Sequence, residues 1–296
     1  MLIRSIVAAV ACLLLAGSAF GLAGCSDDGG SGEGRSAAAP PSEDPGLIHV
    51  HGLGVDPADG ALFVASHTGL FRLPADEDGA ERVADRYQDT MAFTIVGPNR
   101  FLGSGHPDAG EDLPPYLGLI ESEDAGRSWE EVSLMGEVDF HLLAAAGDRI
   151  YGFGSAWGGT EPIFLASEDG GETWSDRKVP GPLQSLVVSP ADPEKLVASS
   201  DRELLVSRDG GKRWESLRAA PGLLAWPDRG ELFRADAEGR IEVSRDEGRG
   251  WRKTGNLGDA PSAFGHGDGR LFAATHQGSI LESGDRGSSW DVRYRE

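Results

Sequence analysis

An eight-residue pattern, Ser-x-Asp-x-Gly-x-x-Trp, occurs five times in this 296-residue chain. The copies begin at Ser122, Ser167, Ser207, Ser244 and Ser283, so successive copies start 45, 40, 37 and 39 residues apart. Self-similarity at a nearly fixed period is the sequence signature of a repeat architecture. The chain is therefore expected to be built from copies of one structural unit.

The residue types of the pattern suit a tight turn between two antiparallel strands. The Asp carboxylate can accept N–H groups of its own turn, and the Gly allows a positive φ. The Trp then begins the returning strand and offers a large apolar ring to the gap between neighbouring units. We predict structural roles for the Asp and Trp of each copy: Asp124 and Trp129, Asp169 and Trp174, Asp209 and Trp214, Asp246 and Trp251, and Asp285 and Trp290.

The period matches one four-stranded blade of a β-propeller. From Leu47 onward, short runs of Val, Ile, Leu and Phe alternate with Asp, Pro and Gly turns, and no useful length has helical periodicity. A further unit at 47–86 lacks the pattern but has an acidic turn at 75–79, and its first three strands are predicted at 48–55, 61–66 and 69–73. The sequence predicts an all-β, six-bladed β-propeller over residues 46–296. Its predicted blades are 47–86, 89–136, 139–180, 184–220, 223–257 and 262–296.

The pattern resembles the Asp-box, or BNR repeat, of bacterial sialidases, sortilin-type receptors and photosystem-assembly propellers. The motifs His49-x-His-Gly52, Gly105-His-Pro107, Leu117-Gly-Leu-Ile120 and Asp139-Phe-His141 resemble a group of bacterial secreted propellers described as glycosyl hydrolases by fold analogy. Sialidases bind the substrate carboxylate through three arginines, the first in an Arg-Ile-Pro motif on the first inner strand. That motif occurs nowhere in this chain, so sialidase chemistry is not expected.

The first 45 residues predict export and anchoring. Residues 1–24 have an arginine, a short apolar run and then small residues, which is typical of a signal peptide. The segment ends in Leu-Ala-Gly before Cys25, which resembles a bacterial lipobox and implies a lipid on Cys25. Residues 25–45 predict a lipidated cysteine and a disordered linker rich in Gly, Ser, Ala and Pro. We expect a lipoprotein anchored to the outer face of the bacterial cell membrane.

Charge and cysteine content restrict the partners. The chain has 27 Lys and Arg against 48 Asp and Glu, a net charge of −21, which disfavours nucleic acid and anionic lipid surfaces. The two cysteines, Cys12 and Cys25, both lie in the leader region, so the folded body has no thiolate metal ligand or cysteine nucleophile. We expect a monomer that meets the membrane only through its lipid.

The positions of the histidines predict a functional face on the propeller. In a propeller, the starts of the first strands and the ends of the second strands lie on one face, and six of the seven histidines map there. We take five of them as candidate metal or ligand residues: His49, His51, His106, His141 and His276. His67 maps to the same face, and His266 maps to the opposite one.

Three interpretations of this face remain open. The His49-x-His51 spacing and a nearby Asp139 suit a divalent transition metal. Asp139 and His141 are also candidates for general acid–base catalysis. The histidines could instead fill the channel mouth, bonded to one another and to water. Outside the repeats, Trp157 and Trp226 could stack on a sugar, although core packing is the favoured role.

Two functions follow from these observations. The first is a lipid-anchored extracytoplasmic module that binds a metal, a glycan or another small ligand, or a protein. The alternative is a glycoside hydrolase that uses acidic residues such as Asp139.

Overall fold

The computed structural model describes residues 44–77, 79–178, 181–228 and 230–295. Within these ranges it contains 24 strands in six four-stranded antiparallel sheets, which confirms the predicted six-bladed β-propeller. The predicted signal peptide, Cys25 and the linker up to residue 43 lie outside the described residues.

The strands of each blade follow one another in the sequence. Blade one contains β1 (Val50–Val55), β2 (Leu62–Ser66), β3 (Gly69–Leu73) and β4 (Glu81–Arg82), followed by a 3-10 turn at Val83–Asp85. Blade two contains β5 (Asp89–Gly97), β6 (Arg100–His106), β7 (Leu119–Ser122) and β8 (Glu130–Ser133). Blade three contains β9 (Val138–Ala146), β10 (Arg149–Ala156), β11 (Pro162–Ser167) and β12 (Ser175–Arg177).

The second half of the ring repeats this order. Blade four contains β13 (Leu183–Ser189), β14 (Asp192–Ser200), β15 (Leu204–Ser207) and β16 (Glu215–Ser216). Blade five contains β17 (Leu223–Asp228), β18 (Glu231–Ala235), β19 (Arg240–Ser244) and β20 (Arg252–Asn256). Blade six contains β21 (Pro261–Gly267), β22 (Arg270–Thr275), β23 (Ser279–Ser283) and β24 (Asp291–Arg295).

The five repeated patterns form hairpins between the third and fourth strands of blades two to six. In each hairpin the Ser hydroxyl donates to the Asp carboxylate and accepts the N–H of the Gly. The Asp carboxylate also accepts a backbone N–H four residues further on. These bonds close the turn within its own residues, so each hairpin is a self-contained unit.

The apolar core lies between the blades. Each pattern tryptophan packs into a cluster shared by its own blade and the preceding one: Trp129, Trp174, Trp214, Trp251 and Trp290. A sixth cluster joins blades six and one, with Val64 and Phe71 facing Phe272 and Ile280. Burial of these aromatic and aliphatic side chains from both neighbours holds the ring together.

Packing of blade one against blade six closes the ring. All four strands of blade one come from the amino-terminal end of the propeller, and β24 pairs with β23 in its own sheet. Strand β1 packs directly on β21, where Gly265 lies against the Leu53 backbone. Arg293, on β24, donates to the carbonyl oxygens of Glu77, at 3.0 Å, and Pro74.

A membrane-spanning helix is absent from the described part of the chain, where none has the length and apolarity that crossing requires.

Candidate metal centre

Histidine and aspartate side chains from blades one to three lie near one end of the central channel. The first strands of the six blades enclose a channel of about 720 Å³. His51 and His141 line it near the starts of β1 and β9, whereas His266 lines it near the end of β21. The ends of β2 and β6 reach the same face as the starts of the first strands, because the two strands of each pair are antiparallel. We call the resulting set the His–Asp face: His51, His67, Asp89, His106, Asp139 and His141.

Three members of this face converge closely. His67 follows β2, and its Nδ1 lies 2.9 Å from Oδ1 of Asp89, the first residue of β5. The same His67 nitrogen lies 3.0 Å from Nε2 of His51, and His51 Nε2 lies 3.7 Å from Asp89 Oδ1. Two neighbouring blades therefore bring two imidazole nitrogens and one carboxylate oxygen together. We call these three residues the triad.

One proton on His67 serves two contacts in the triad. The Asp89 carboxylate only accepts, so His67 Nδ1 must carry the proton that lies between them. That single proton is the only one the His67 nitrogen can offer to both Asp89 and His51. A cation could instead accept a lone pair from each of the three atoms.

The size of the triad suits a transition metal. A circle through the three atoms has a radius of about 1.9 Å. This radius is close to the distance between zinc and a histidine nitrogen, which is about 2.0–2.1 Å. Two histidines and one carboxylate are ligands that zinc and other first-row transition metals use. Three protein ligands would leave at least one coordination position for water or another ligand.

Burial tunes the triad toward metal binding. Burial, reinforced by the neighbouring imidazoles of His67, His49 and His141, lowers the pKa of His51 to about 4, so the imidazole is neutral at neutral pH and one of its two ring nitrogens has a lone pair. Burial raises the pKa of Asp89, although the nearby histidines oppose that shift. A bound cation would offset the cost of burying the Asp89 charge.

A second group lies one blade further round. His141 Nε2 lies 2.9 Å from Asp139 Oδ2, and His106 Nε2 lies 3.6 Å from the same oxygen. The hydrogen bond with Asp139 raises the pKa of His141. The two groups are within electrostatic range, since Asp139 and His106 act on Asp89 and His141 acts on His51.

Of the five histidines that were predicted to bind a metal or ligand, three belong to the His–Asp face: His51, His106 and His141. His49 is exposed, and its ring stacks on His51 with centroids 6.5 Å apart and meets His67 edge-on at 5.7 Å. His276 follows β22 in blade six and is exposed, and among the described residues its imidazole has no hydrogen bond or ring contact with the other histidines.

Sequence reasoning overlooked Asp89 as a site residue and did not select His67. Asp89 is one of 48 acidic residues, so its residue type gives no indication. Its position in the blade does: Asp89 pairs with His106 across the β5–β6 ladder, as Asp139 pairs with Ser155 across β9–β10. When the sequences of the blades are aligned at their first strands, Asp89 of blade two occupies the position of Asp139 in blade three.

An exposed aromatic ridge borders the second group. Trp157, after β10, is 63% exposed, and its ring meets Tyr116 edge-on with centroids 5.2 Å apart. Tyr116 in turn lies 5.7 Å from the His106 ring. The favoured core role is therefore wrong for Trp157, whereas Trp226 is 5% exposed and packs between blades four and five.

Solved structures share the fold of this chain, although no protein-family model matches it. A chain of a nidogen/laminin complex is similar with a TM-score of 0.61 and 13% identity, covering 80% of this chain and 93% of that one. A GH74 enzyme of Niastella koreensis is similar with a TM-score of 0.59 and 14% identity, covering 84% of this chain. The match covers only 46% of that enzyme, so this chain corresponds to less than half of its length. YCF48 bound to a D1 peptide has a TM-score of 0.47 and 19% identity, covering 70% of this chain and 68% of that one. At these identities the likeness to the nidogen/laminin chain and to the GH74 enzyme shows the β-propeller fold alone.

Proposed function

We propose that this protein is a lipid-anchored, extracytoplasmic β-propeller that binds a divalent transition metal at His51, His67 and Asp89. The observation that carries the proposal is the convergence of two imidazole nitrogens and a carboxylate oxygen within 2.9–3.7 Å of one another. The net charge of −21 supports it, because a negative surface raises the local concentration of cations.

The test is a zinc titration of the full-length protein, purified through a tag without histidine and stripped with EDTA. At free Zn²⁺ one hundred times the dissociation constant, we expect binding to raise the free energy of unfolding by about 2.7 kcal/mol. His51→Ala and His67→Ala should lose this gain. Mg²⁺ should give little stabilisation, because it prefers oxygen ligands.

His276→Ala is the matched control, since it removes an exposed histidine that has no contact with the triad. It should keep the full zinc response. An equal response in His51→Ala and in the unmodified protein would show that zinc binds elsewhere and would overturn the proposal.

Anchoring at Cys25 rests on the signal-peptide pattern of residues 1–24 and on the sequence Leu22-Ala-Gly-Cys25, which resembles a bacterial lipobox. Cys25→Ser should move the protein from the membrane fraction to the soluble fraction. Unchanged membrane association would contradict lipidation at this residue.

Glycoside hydrolysis is the second candidate, and the aromatic ridge favours it. An exposed indole such as that of Trp157 can stack on a sugar ring, and Asp89 and Asp139 provide two carboxylates on the same face. The raised pKa of Asp89 suits a general acid. This candidate predicts glycan turnover that survives EDTA and is lost in Asp139→Asn. Absence of turnover on a broad glycan panel would exclude it.

A further inference from the structure

Trp157 and Tyr116 form an exposed aromatic corner between blades two and three. Trp157 is 63% exposed, and the two rings meet at an angle of 75° with centroids 5.2 Å apart. Two backbone hydrogen bonds hold the corner in place: Gly136 N donates to Tyr116 O at 2.7 Å, and Trp157 N donates to Glu137 O at 2.8 Å. Both rings are therefore tied to the turn that precedes β9. Because the rings are nearly perpendicular, a face of each borders the same space, and the exposure of Trp157 opens that space to solvent.

The segments that form the aromatic corner are acidic. Residues 107–117, 134–139 and 157–161 contain three, two and one Asp or Glu residues, and they contain no Lys or Arg. Asp112, Glu137 and Glu161 are exposed, and none of them forms an ion pair with another described residue. Glu111, by contrast, pairs with Arg86. The corner thus combines two aromatic faces with negative charge that the protein itself does not neutralise.

Glu137 is the carboxylate that the backbone places at the corner. Its carbonyl accepts the Trp157 N–H, and the preceding residue, Gly136, donates to the carbonyl of Tyr116. Glu137 is therefore joined to both aromatic residues by direct or adjacent backbone contacts. An anionic side chain in that position strengthens the attraction of the ring faces for positive charge.

This combination favours a cation over a neutral sugar. The face of an aromatic ring is electron-rich and attracts cations, and tryptophan does so best. A sugar could stack on the same rings, but it would gain nothing from the uncompensated carboxylates.

The type of cation follows from hydration. A primary ammonium is a compact, strongly hydrated charge with three N–H groups that need acceptors. A quaternary ammonium has no N–H group, and aromatic sites are the usual means by which proteins recognise it.

We propose that Trp157, Tyr116 and Glu137 form a binding site for a quaternary ammonium group. The methyl groups of the ligand contact the two ring faces, and the Glu137 carboxylate balances the charge. The site goes beyond the proposed function, because it lies between blades two and three, whereas the triad joins blades one and two. It requires no bound metal.

The test compares choline with 3,3-dimethyl-1-butanol, which has the same shape but a neutral carbon in place of the charged nitrogen. Binding of each probe to the metal-free full-length protein is measured by saturation-transfer NMR of its methyl protons. Choline should bind about threefold more tightly or better, which is the ratio expected for a cation–π contact at an exposed site. Its affinity should fall as the NaCl concentration rises, because part of the attraction is between charges.

Three variants locate the site, and their positions are exposed, so that folding is retained. Trp157→Ala should abolish choline binding, whereas Trp157→Phe, which keeps an aromatic face, should retain weaker binding. Glu137→Gln should weaken the binding of choline and leave that of the neutral analogue unchanged. Glu172→Gln is the matched control: Glu172 is an exposed carboxylate that follows β11, at the end of blade three opposite to Trp157, and its removal should have no effect.

Equal affinities for the two probes would overturn the proposal, as would choline binding that survives Trp157→Ala. Binding of cellobiose that depends on Trp157, without binding of choline, would also overturn it and would support the second candidate function. Since the probes are tested on metal-free protein, none of these outcomes alters the result of the zinc titration.

Discussion

At the scale of single residues, burial makes the imidazole of His51 harder to protonate than a free imidazole. Its imidazole is 20% exposed and lies beside three other histidines, and its pKa falls to about 4. In the unfolded chain the pKa returns to about 6.5. Between these two values the unfolded chain binds a proton that the folded protein does not, so the metal-free protein loses stability as the pH falls.

We therefore predict that His51→Gln reduces the acid sensitivity of the metal-free protein. A pKa difference of one unit corresponds to 1.36 kcal/mol, and with a discount for solvent exposure we expect a contribution of about 1–2 kcal/mol. The unmodified protein in EDTA should lose that much more unfolding free energy than His51→Gln between pH 7 and pH 4.5. Urea denaturation at the two pH values measures the difference.

His276→Gln is the control and should follow the pH dependence of the unmodified protein. His141 acts in the opposite direction, because its pKa is raised: its contribution is fully present below pH 6.5 and is lost as the pH rises through its folded value. Equal pH dependence in His51→Gln and the unmodified protein would show that burial does not depress the pKa of His51.

At the scale of elements, the sequence predicted strands more successfully than it predicted how their ends meet. The third strand of blade one, 69–73, was predicted with the bounds that the structure has. The first strand was predicted from Ile48 but begins at Val50, because His49 has a φ of 52° that interrupts extended backbone. An alternating apolar pattern predicts the interior of a strand but not the residue at which the strand begins. The conformation of His49 depends on contacts outside its own strand, because the backbone N–H of His67 donates to the His49 carbonyl.

The sequence did not predict Asp89 as a site residue for the same reason, since its role depends on contacts between strands. Histidines are rare in this chain, so their positions on one face could be read from the repeat. Asp89 becomes distinctive only when blade two is placed beside blade one, which brings its carboxylate to His67. His276 occupies the matching position in blade six, but the next blade begins with His49 where Asp89 and Asp139 stand in blades two and three. His276 therefore lacks the aspartate of the next blade that His67 and His106 each face.

The repeated hairpins supply a prediction at this scale. Ser207 is 1% exposed, and its hydroxyl accepts the Gly211 N–H at 2.9 Å and donates to Asp209 at 3.0 Å. Ser207→Ala leaves a buried N–H without a partner, which we expect to cost about 1–3 kcal/mol of unfolding free energy. Urea denaturation would measure this loss.

Arg213→Ala tests the specificity of that effect in the same hairpin. The Arg213 side chain is 89% exposed and pairs with Asp209 at 2.9 Å, so its removal should cost no more than about 1 kcal/mol. If the two substitutions cost the same, the hairpin would depend on surface charge and not on its buried hydroxyl.

At the scale of the whole molecule, the ring depends on the contact between its first and last blades. No strand is exchanged between them within the described residues, so closure relies on close packing of β1 on β21. Gly265 makes that approach possible: a Cβ there would lie 2.5 Å from the Leu53 carbonyl oxygen and 3.0 Å from its Cβ. Glycine is required because the neighbouring backbone occupies the space of a side chain.

Gly265→Ala should therefore destabilise the entire propeller, because the added methyl group would push apart the two blades whose contact closes the ring. Overpacking of this kind costs about 1–3 kcal/mol, whereas Gly284→Ala, in a blade-six hairpin with no atom within 4 Å of the added Cβ, should change stability by less than about 0.5 kcal/mol. Urea midpoints of the two variants make the comparison within one blade. Since β1 also carries His51, displacement of this strand should weaken zinc binding in Gly265→Ala and leave it unchanged in Gly284→Ala. Equal midpoints would mean that blades one and six do not rely on this contact, and that closure is maintained by the apolar cluster and Arg293 alone.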